Sequence, residues 1–221
     1  MVEPWRVAVY YVPAAEDPLW HLGCRWLGRD PERGESVSQP DVPGIMEITE
    51  KPRRYGFHAT LKPPMRLAHG FAEFYADVRA LAASFRTFLL PPLQINNLYG
   101  FLALELSRPC QDICSLANQC VSHLDRHRVL EPPERRAQRG VGRSDIEREN
   151  ILRWGYPFVF ESFRFHITLS GDGYAKTLPA AAAAHFGTTL AASRTVAEIA
   201  IFVEPEPGAA MLLHSRLSFR P

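Results

Sequence analysis

One five-residue pattern occurs twice in this chain. Phe57-His58-Ala59-Thr60-Leu61 is answered by Phe165-His166-Ile167-Thr168-Leu169, 108 residues later in a sequence of 221. An offset near half the chain is too long for a solenoid, whose repeats run to roughly 20–50 residues. It fits a duplicated lobe folded against its copy. The surrounding order agrees: the half beginning at Tyr55 reads strand, helix, strand, strand, and so does the half beginning at Phe163. The sequence therefore predicts an α+β chain, with 1–221 as a single bilobal domain. One repeat is centred on His58 and the other on His166.

The local elements follow from periodicity and punctuation. Val7 to Val12 is an apolar run ended by Pro13 and reads as a buried strand. Asp17-Pro18 is a cap with proline at the first helical position, opening Leu19 to Leu27 before Gly28. Arg29 to Pro52, rich in Pro, Gly, Ser and acids, reads as a long surface loop. Tyr55 to Lys62 is a strand cut off by Pro63-Pro64. Phe71, Phe74, Val78, Leu81 and Phe85 recur at helical spacing. Leu93 to Ser107 reads as a hairpin turning near Asn96 to Gly100, and Gln111 to His127 as a long helix. An arginine-rich stretch runs from Pro132-Pro133 to Arg153. Pro157 to Gly171 is strand-like, and Leu178 to Leu190 is an alanine-rich helix. Val196 to Glu204 and Ala209 to Phe219 read as strands paired through the turn ending at Gly208.

Alternation along a strand sends His58 and Thr60 to one face and Phe57, Ala59 and Leu61 to the other. The same holds for His166 and Thr168 against Phe165, Ile167 and Leu169. If the lobes face each other, two imidazoles and two hydroxyls meet across a central cleft. In-line displacement at phosphorus needs that arrangement, with entering and leaving oxygens on opposite sides. Histidine titrates near neutrality and fills either the base or the acid role. The hydroxyls of Thr60 and Thr168 would hold the non-bridging oxygens, so the chemistry requires neither metal nor cofactor. Lys62 and Arg164 share the histidine side by parity and are candidate substrate-binding cations; Arg54, at a strand start, has no assigned direction. A lone His-x-Thr is ordinarily a surface histidine in a strand. Two copies, each within Phe-His-x-Thr-Leu at matching places, are not. Which histidine is acid and which is base stays open in the sequence.

Other features have plainer readings. On one helix Cys110 and Cys114 fall on a different side from Cys120, His123 and His127, so these cannot converge on one tetrahedral ion. His123 and His127 offer half a site, with no acidic partner evident. Arg135, Arg136, Arg139, Arg143, Arg148 and Arg153 are offset by five acids between residues 131 and 153. Mixed charge of this kind marks a solvated segment; the functional reading is a lid that brings arginine to a phosphate. Tyr55, Trp154, Tyr156 and Phe158 lie near the motifs as cleft wall or as platforms for a base. With Tyr55 counted among the substrate-binding candidates, the expected partner is a small phosphorylated molecule, a nucleotide or an RNA end.

Composition bounds the setting. The 25 Lys+Arg nearly balance 24 Asp+Glu, so anion binding must be local rather than a bulk attraction. No run approaches the roughly 20 apolar residues of a membrane span. Glu3, Pro4 and Arg6 interrupt any apolar leader core, and four cysteines make no disulfide framework. The expectation is a cytoplasmic chain that does not engage a membrane.

The paired motifs resemble those of the two-histidine (2H) phosphoesterase superfamily, which contains RNA 2′–5′ ligase-like proteins and cyclic nucleotide phosphodiesterases. The resemblance implies two antiparallel sheets flanked by helices, with His58, Thr60, His166 and Thr168 catalytic in a central cleft. Trp26 to Asp30, Arg54 to Pro64, Trp154 to Pro157 and Phe163 to Leu169 extend it to an uncharacterised bacterial subfamily. Its genes often lie beside those for phosphonate breakdown by carbon–phosphorus lyase. The implied activity is a 2H-type cyclic phosphodiesterase, opening a 2′,3′-cyclic nucleotide or a sugar cyclic phosphate. The alternatives are a non-catalytic module that grips a phosphate or RNA end, and an accessory protein of a phosphonate-degrading assembly.

Overall fold

The computed structural model describes residues 3–220. Strand β1 (Arg6–Tyr11) leads through Asp17, whose carboxylate accepts from Leu19 N, into helix α1 (Pro18–Leu27), closed by Gly28. The segment expected to be loop holds a small hairpin, β2 (Arg29–Asp30) and β3 (Glu35–Ser36), then two short helices, α2 (Ile45–Ile48) and α3 (Glu50–Tyr55). Then come β4 (Ala59–Met65), α4 (Phe71–Ala82), β5 (Phe88–Leu90), β6 (Leu93–Leu98) and β7 (Phe101–Leu106). Helix α5 (Gln111–Leu124) ends in a 3-10 turn, and α6 (Pro133–Arg139) and α7 (Asp145–Trp154) carry the arginine-rich stretch. The second half continues with β8 (His166–Thr168), α8 (Pro179–Phe186), β9 (Arg194–Val196), β10 (Glu198–Glu204) and β11 (Leu212–Ser218).

Two antiparallel sheets dominate, one ordered β11-β10-β1-β4 and the other β6-β7-β8. Their composition crosses the two halves of the chain. The first histidine strand, β4, joins the hairpin β10–β11 of the second half through β1, and the second, β8, joins the hairpin β6–β7 of the first half. A duplicated lobe folded against its copy would keep each motif strand in a sheet of its own half, and this exchange corrects that expectation. Strands β5 and β9, which occupy matching places in the two halves, pair with each other. The sheets meet where β4 approaches β8.

Pro63 and Pro64 do not end the first motif strand; β4 runs through both. It tolerates them because β4 is the edge of its sheet, where a missing N–H breaks no ladder. The predicted strand from Pro157 to Gly171 shrinks to three residues, preceded by a 3-10 turn at Phe160–Ser162. The β6–β7 turn has positive φ at Tyr99 and Gly100, the twist-compatible geometry of a two-residue hairpin.

Phe57, Ala59, Leu61, Phe165, Ile167 and Leu169 are all buried in one core spanning both sheets. Each large one contributes about 1.5–3 kcal/mol by burial. Helix α1 crosses so close to Phe57 that a Cβ on Gly23 would stand 2.2 Å from the ring. Glycine at position 23 thus sets how deeply the first motif strand seats. Among the described residues, no helix is long and apolar enough to cross a membrane.

Candidate active site

Burial alternates through both motifs, with His58, Thr60, His166 and Thr168 part-exposed between buried apolar neighbours. All four line one cavity of about 350 Å³, which also takes in Tyr10, Tyr55 and Tyr156. The exchanged strands thus deliver one imidazole–hydroxyl pair from each sheet to a common space.

Both rings are held by the same device. His58 Nδ1 donates to the Gly56 carbonyl at 2.9 Å, and His166 Nδ1 donates to the Arg164 carbonyl at 2.9 Å. A carbonyl only accepts, so the proton sits on Nδ1 and each Nε2 keeps a free lone pair. His58 Nε2 lies 3.3 Å from the Thr60 hydroxyl. Gly56 has φ 82° and ψ 177°, a conformation reserved for glycine, and this aims its carbonyl at His58.

The two environments differ. The His58 ring stacks on Tyr10 at 3.8 Å between centroids and also neighbours Tyr55 and Phe202. Burial pulls its pKa down to about 4, and the Gly56 hydrogen bond only partly opposes this. His166 sits opposite Glu105 across the β7–β8 ladder. Burial lowers its pKa as well, against the opposing pull of the Arg164 carbonyl and the Glu105 charge. Glu105 is fixed by Asn96 Nδ2 at 2.9 Å.

The candidate cations are not where strand parity puts them. Thr60 pairs with Tyr10 but Lys62 pairs with Val9, so an irregularity in the β1–β4 ladder turns Lys62 to the other face. Lys62 borders the cavity, yet its ammonium is buried under α5 against Asp125 Oδ1 at 2.7 Å and the Val121 carbonyl. Arg164 is exposed, lies over the Tyr99 ring, and lines a neighbouring pocket rather than the shared cavity. Arg54 donates to Glu204 Oε1 at 2.7 Å. The cations on the cavity wall are instead Arg6, Arg128 and Arg139. Arg139 belongs to the mixed-charge stretch whose functional reading in the sequence is a lid bringing arginine to a phosphate. Tyr10 is hidden inside an apolar run, although among the described residues its buried hydroxyl has no protein partner.

Elsewhere, all four thiols are free, and burial pushes Cys120 up to about 12. His127 does have an acidic partner, correcting the sequence reading: its Nε2 lies 2.5 Å from Asp77 Oδ2, with Glu73 beside them. Arg126 bonds the same Asp77 oxygen and already neutralises it.

Residues 60–212 match the family described as a protein of unknown function, DUF1045. The chain belongs to DUF1045. Two relatives of this DUF1045 chain carry the name ribose 1,5-bisphosphate phosphokinase PhnN. The one from Janthinobacterium sp. (strain Marseille) is 36% identical over 229 residues, covering 97% of this chain and 51% of that protein. The one from Laribacter hongkongensis (strain HLHK9) is 38% identical over 217 residues, covering 94% and 50%. The chain spans about half the length of the curated relatives it matches. Among solved structures, the DUF1045 chain is similar to E. coli LigT complexed with 3′-AMP, at 18% identity and TM-score 0.49, over 99% of this chain and 100% of that one. LigT complexed with phosphate gives 17% identity and TM-score 0.48, over 99% of both chains.

Proposed function

We propose that this chain is a metal-independent phosphoesterase that hydrolyses a cyclic phosphodiester on a nucleotide or sugar, with His58 as base and His166 as acid. The observation that carries the reading is the matched pair of imidazoles, each fixed through Nδ1, sharing one cavity from two sheets. His58 Nε2 takes a proton from water as the water oxygen bonds to phosphorus. The ester P–O bond opposite breaks, and the leaving oxygen takes the proton from Nε2 of protonated His166. The Thr60 and Thr168 hydroxyls, with Arg6 and Arg139, hold the non-bridging oxygens. His58 suits the base because aromatic rings surround it and keep it neutral. His166 suits the acid because Glu105 favours its cation.

The phosphokinase name belongs to proteins about twice this chain's length. This sequence contains no Gly-Lys pair, so it has no Gly-x4-Gly-Lys-Ser/Thr loop of the kind that cradles nucleotide phosphates. Their name supports a phosphorylated ribose as the substrate class, and a setting in phosphonate metabolism fits the subfamily resemblance. The two matching halves, with their exchanged strands, support a duplicated single domain.

The test is turnover of 2′,3′-cyclic nucleotides and ribose cyclic phosphates. His58→Ala and His166→Ala should each lose about 10²–10⁴-fold in kcat with unchanged far-ultraviolet circular dichroism. Turnover should persist in excess chelator. Full activity in either histidine variant, or its loss on chelation, overturns the assignment.

A further inference from the structure

The catalytic cavity adjoins a second groove of about 500 Å³, and the two share Arg6, Pro64, Met65, Arg128, Arg139 and Gly155 as a common wall. Five arginines line this groove: Arg6, Arg66, Arg128, Arg135 and Arg139. Glu131 is the one carboxylate among them. The charge is not cancelled from behind. Glu204 is divided between Arg6 and Arg54, Asp125 between Arg128 and Lys62, and Glu131 is taken by Arg139. Among the described residues, Arg66 and Arg135 have no carboxylate partner, and both are exposed. Arg66 Cζ lies over the Trp5 ring, 4.1 Å from its centroid, a contact that helps hold the guanidinium in place.

We propose that this groove is a subsite for a second phosphate on the same small molecule that presents its phosphodiester to His58 and His166. The substrate class becomes a cyclic phosphodiester that also bears a terminal phosphomonoester. The inference rests on the phosphoesterase reading for the chemistry, but the subsite itself rests on the arginines. A guanidinium pairs with phosphate bidentately, and unneutralised arginines converging on one groove favour a dianion over a neutral sugar end. Continuity of the walls places the second anion on the same ligand as the first. The α6 arginines thereby gain a role: Arg135 and Arg139 bring the mixed-charge stretch to the ligand's far end.

The experiment compares adenosine 2′,3′-cyclic phosphate with the same compound phosphorylated at the 5′ position, and with a dinucleotide ending in a 2′,3′-cyclic phosphate. Turnover is read as kcat/KM, and binding of adenosine 3′,5′-bisphosphate against 3′-AMP is read by calorimetry. Wild type should favour the 5′-phosphorylated compound and the bisphosphate by about tenfold or more, a ratio that one charge-assisted hydrogen bond supplies. In Arg66→Ala/Arg135→Ala both ratios should fall toward one. Neither arginine holds a structural ion pair, and circular dichroism checks that the variant folds. Equal turnover with and without the 5′-phosphate overturns the subsite while leaving the phosphoesterase standing. No turnover of any compound, with arginine-dependent preference for the bisphosphate, overturns the phosphoesterase and leaves the subsite. A preference for the dinucleotide over the 5′-phosphate overturns the small-molecule assignment in favour of a nucleic-acid backbone.

Discussion

The Tyr10 phenol stacks on the His58 imidazole, with centroids 3.8 Å apart and planes inclined by 26°. Tyr10 pairs with Thr60 across the β1–β4 ladder, so ring, imidazole and hydroxyl share one patch of the cavity. The Tyr10 hydroxyl is buried and, among the described residues, without a protein partner. Burial holds its pKa well above 10, so it stays a donor at every working pH. Tyr10→Phe keeps the stack and removes the donor. Stability in urea should stay level or rise slightly, because an unsatisfied buried hydroxyl is removed. If that hydroxyl meets the phosphate, kcat/KM should drop about tenfold. An unchanged kcat/KM would remove Tyr10 from the substrate's surroundings.

The pH dependence follows from the two histidines having their pKa values lowered. The proposed mechanism needs His58 neutral and His166 protonated. Both groups titrate below the ordinary 6.5, His58 near 4. The bell in kcat/KM should therefore peak on the acid side of neutrality, above about pH 4 and below about pH 6.5. Glu105 does not touch the reacting atoms but positions the charge on His166. Glu105→Gln should shift the alkaline limb to lower pH and leave the acid limb in place. A bell centred above pH 7 would refute the pairing of roles.

The same shifts act on stability. The unfolded chain binds protons at these histidines below about pH 6.5, and the native chain resists doing so until nearer pH 4 for His58. Native stability should therefore fall as pH drops through that window. His58→Gln should flatten the fall in a series of urea melts taken between pH 7 and pH 4. An identical slope in wild type and variant would show that burial of His58 does not govern it.

Much of this arrangement is legible in the sequence because it depends on parity and punctuation. Phe57, Ala59 and Leu61 against His58 and Thr60 is a period-two pattern, and the structure keeps it. What escapes is whatever depends on partner strands. The exchange of β4 and β8 between sheets leaves no mark in either strand's own residues. Lys62 has the right parity with His58, but a ladder irregularity defined jointly with Val9 and Tyr10 reverses it. Pro63-Pro64 reads as a stop because the sequence does not say that β4 is an edge. Tyr10 reads as core, and it is fully buried; that it also borders the cavity shows only through its cross-strand partner Thr60.

Asp125 is the acid on which Lys62 depends. Its Oδ1 accepts from Lys62 Nζ and from Arg128 Nε, and Oδ2 accepts from Arg128 Nη2 at 2.9 Å. Burial works against the carboxylate, but Arg128 and Lys62 hold its pKa below the usual value. Asp125→Ala strands the Lys62 ammonium, only 1% exposed, with the Val121 carbonyl alone. That should cost about 3–5 kcal/mol in chemical denaturation. Lys62→Met fills the same space and leaves Asp125 paired with Arg128, so it should cost far less. Equal losses for the two substitutions would contradict the asymmetry.

Glu204 anchors the wall shared by cavity and groove. It is 1% exposed and faces Arg6 across the β1–β10 ladder. Arg6 Nε, Arg54 Nη2 and the Gly208 N–H all donate to its carboxylate. Burial alone would raise its pKa, yet the bonds from Arg6, Gly208 and Arg54 hold it below 4.5. Glu204→Gln keeps the volume and removes the charge, and should cost about 1–3 kcal/mol near neutral pH. Because the folded pKa is depressed, the carboxylate's contribution is present above the unfolded value near 4.5 and is lost as pH falls through the lower folded one. The stability gap between wild type and Glu204→Gln should therefore narrow below about pH 4.5 in urea melts. Arg6 loses its tether in the same variant, so KM for a phosphorylated substrate should rise more than kcat falls. A Glu204→Gln protein as stable as wild type at pH 7, with unaltered KM, would show that Arg6 is held by the strand and not by the carboxylate.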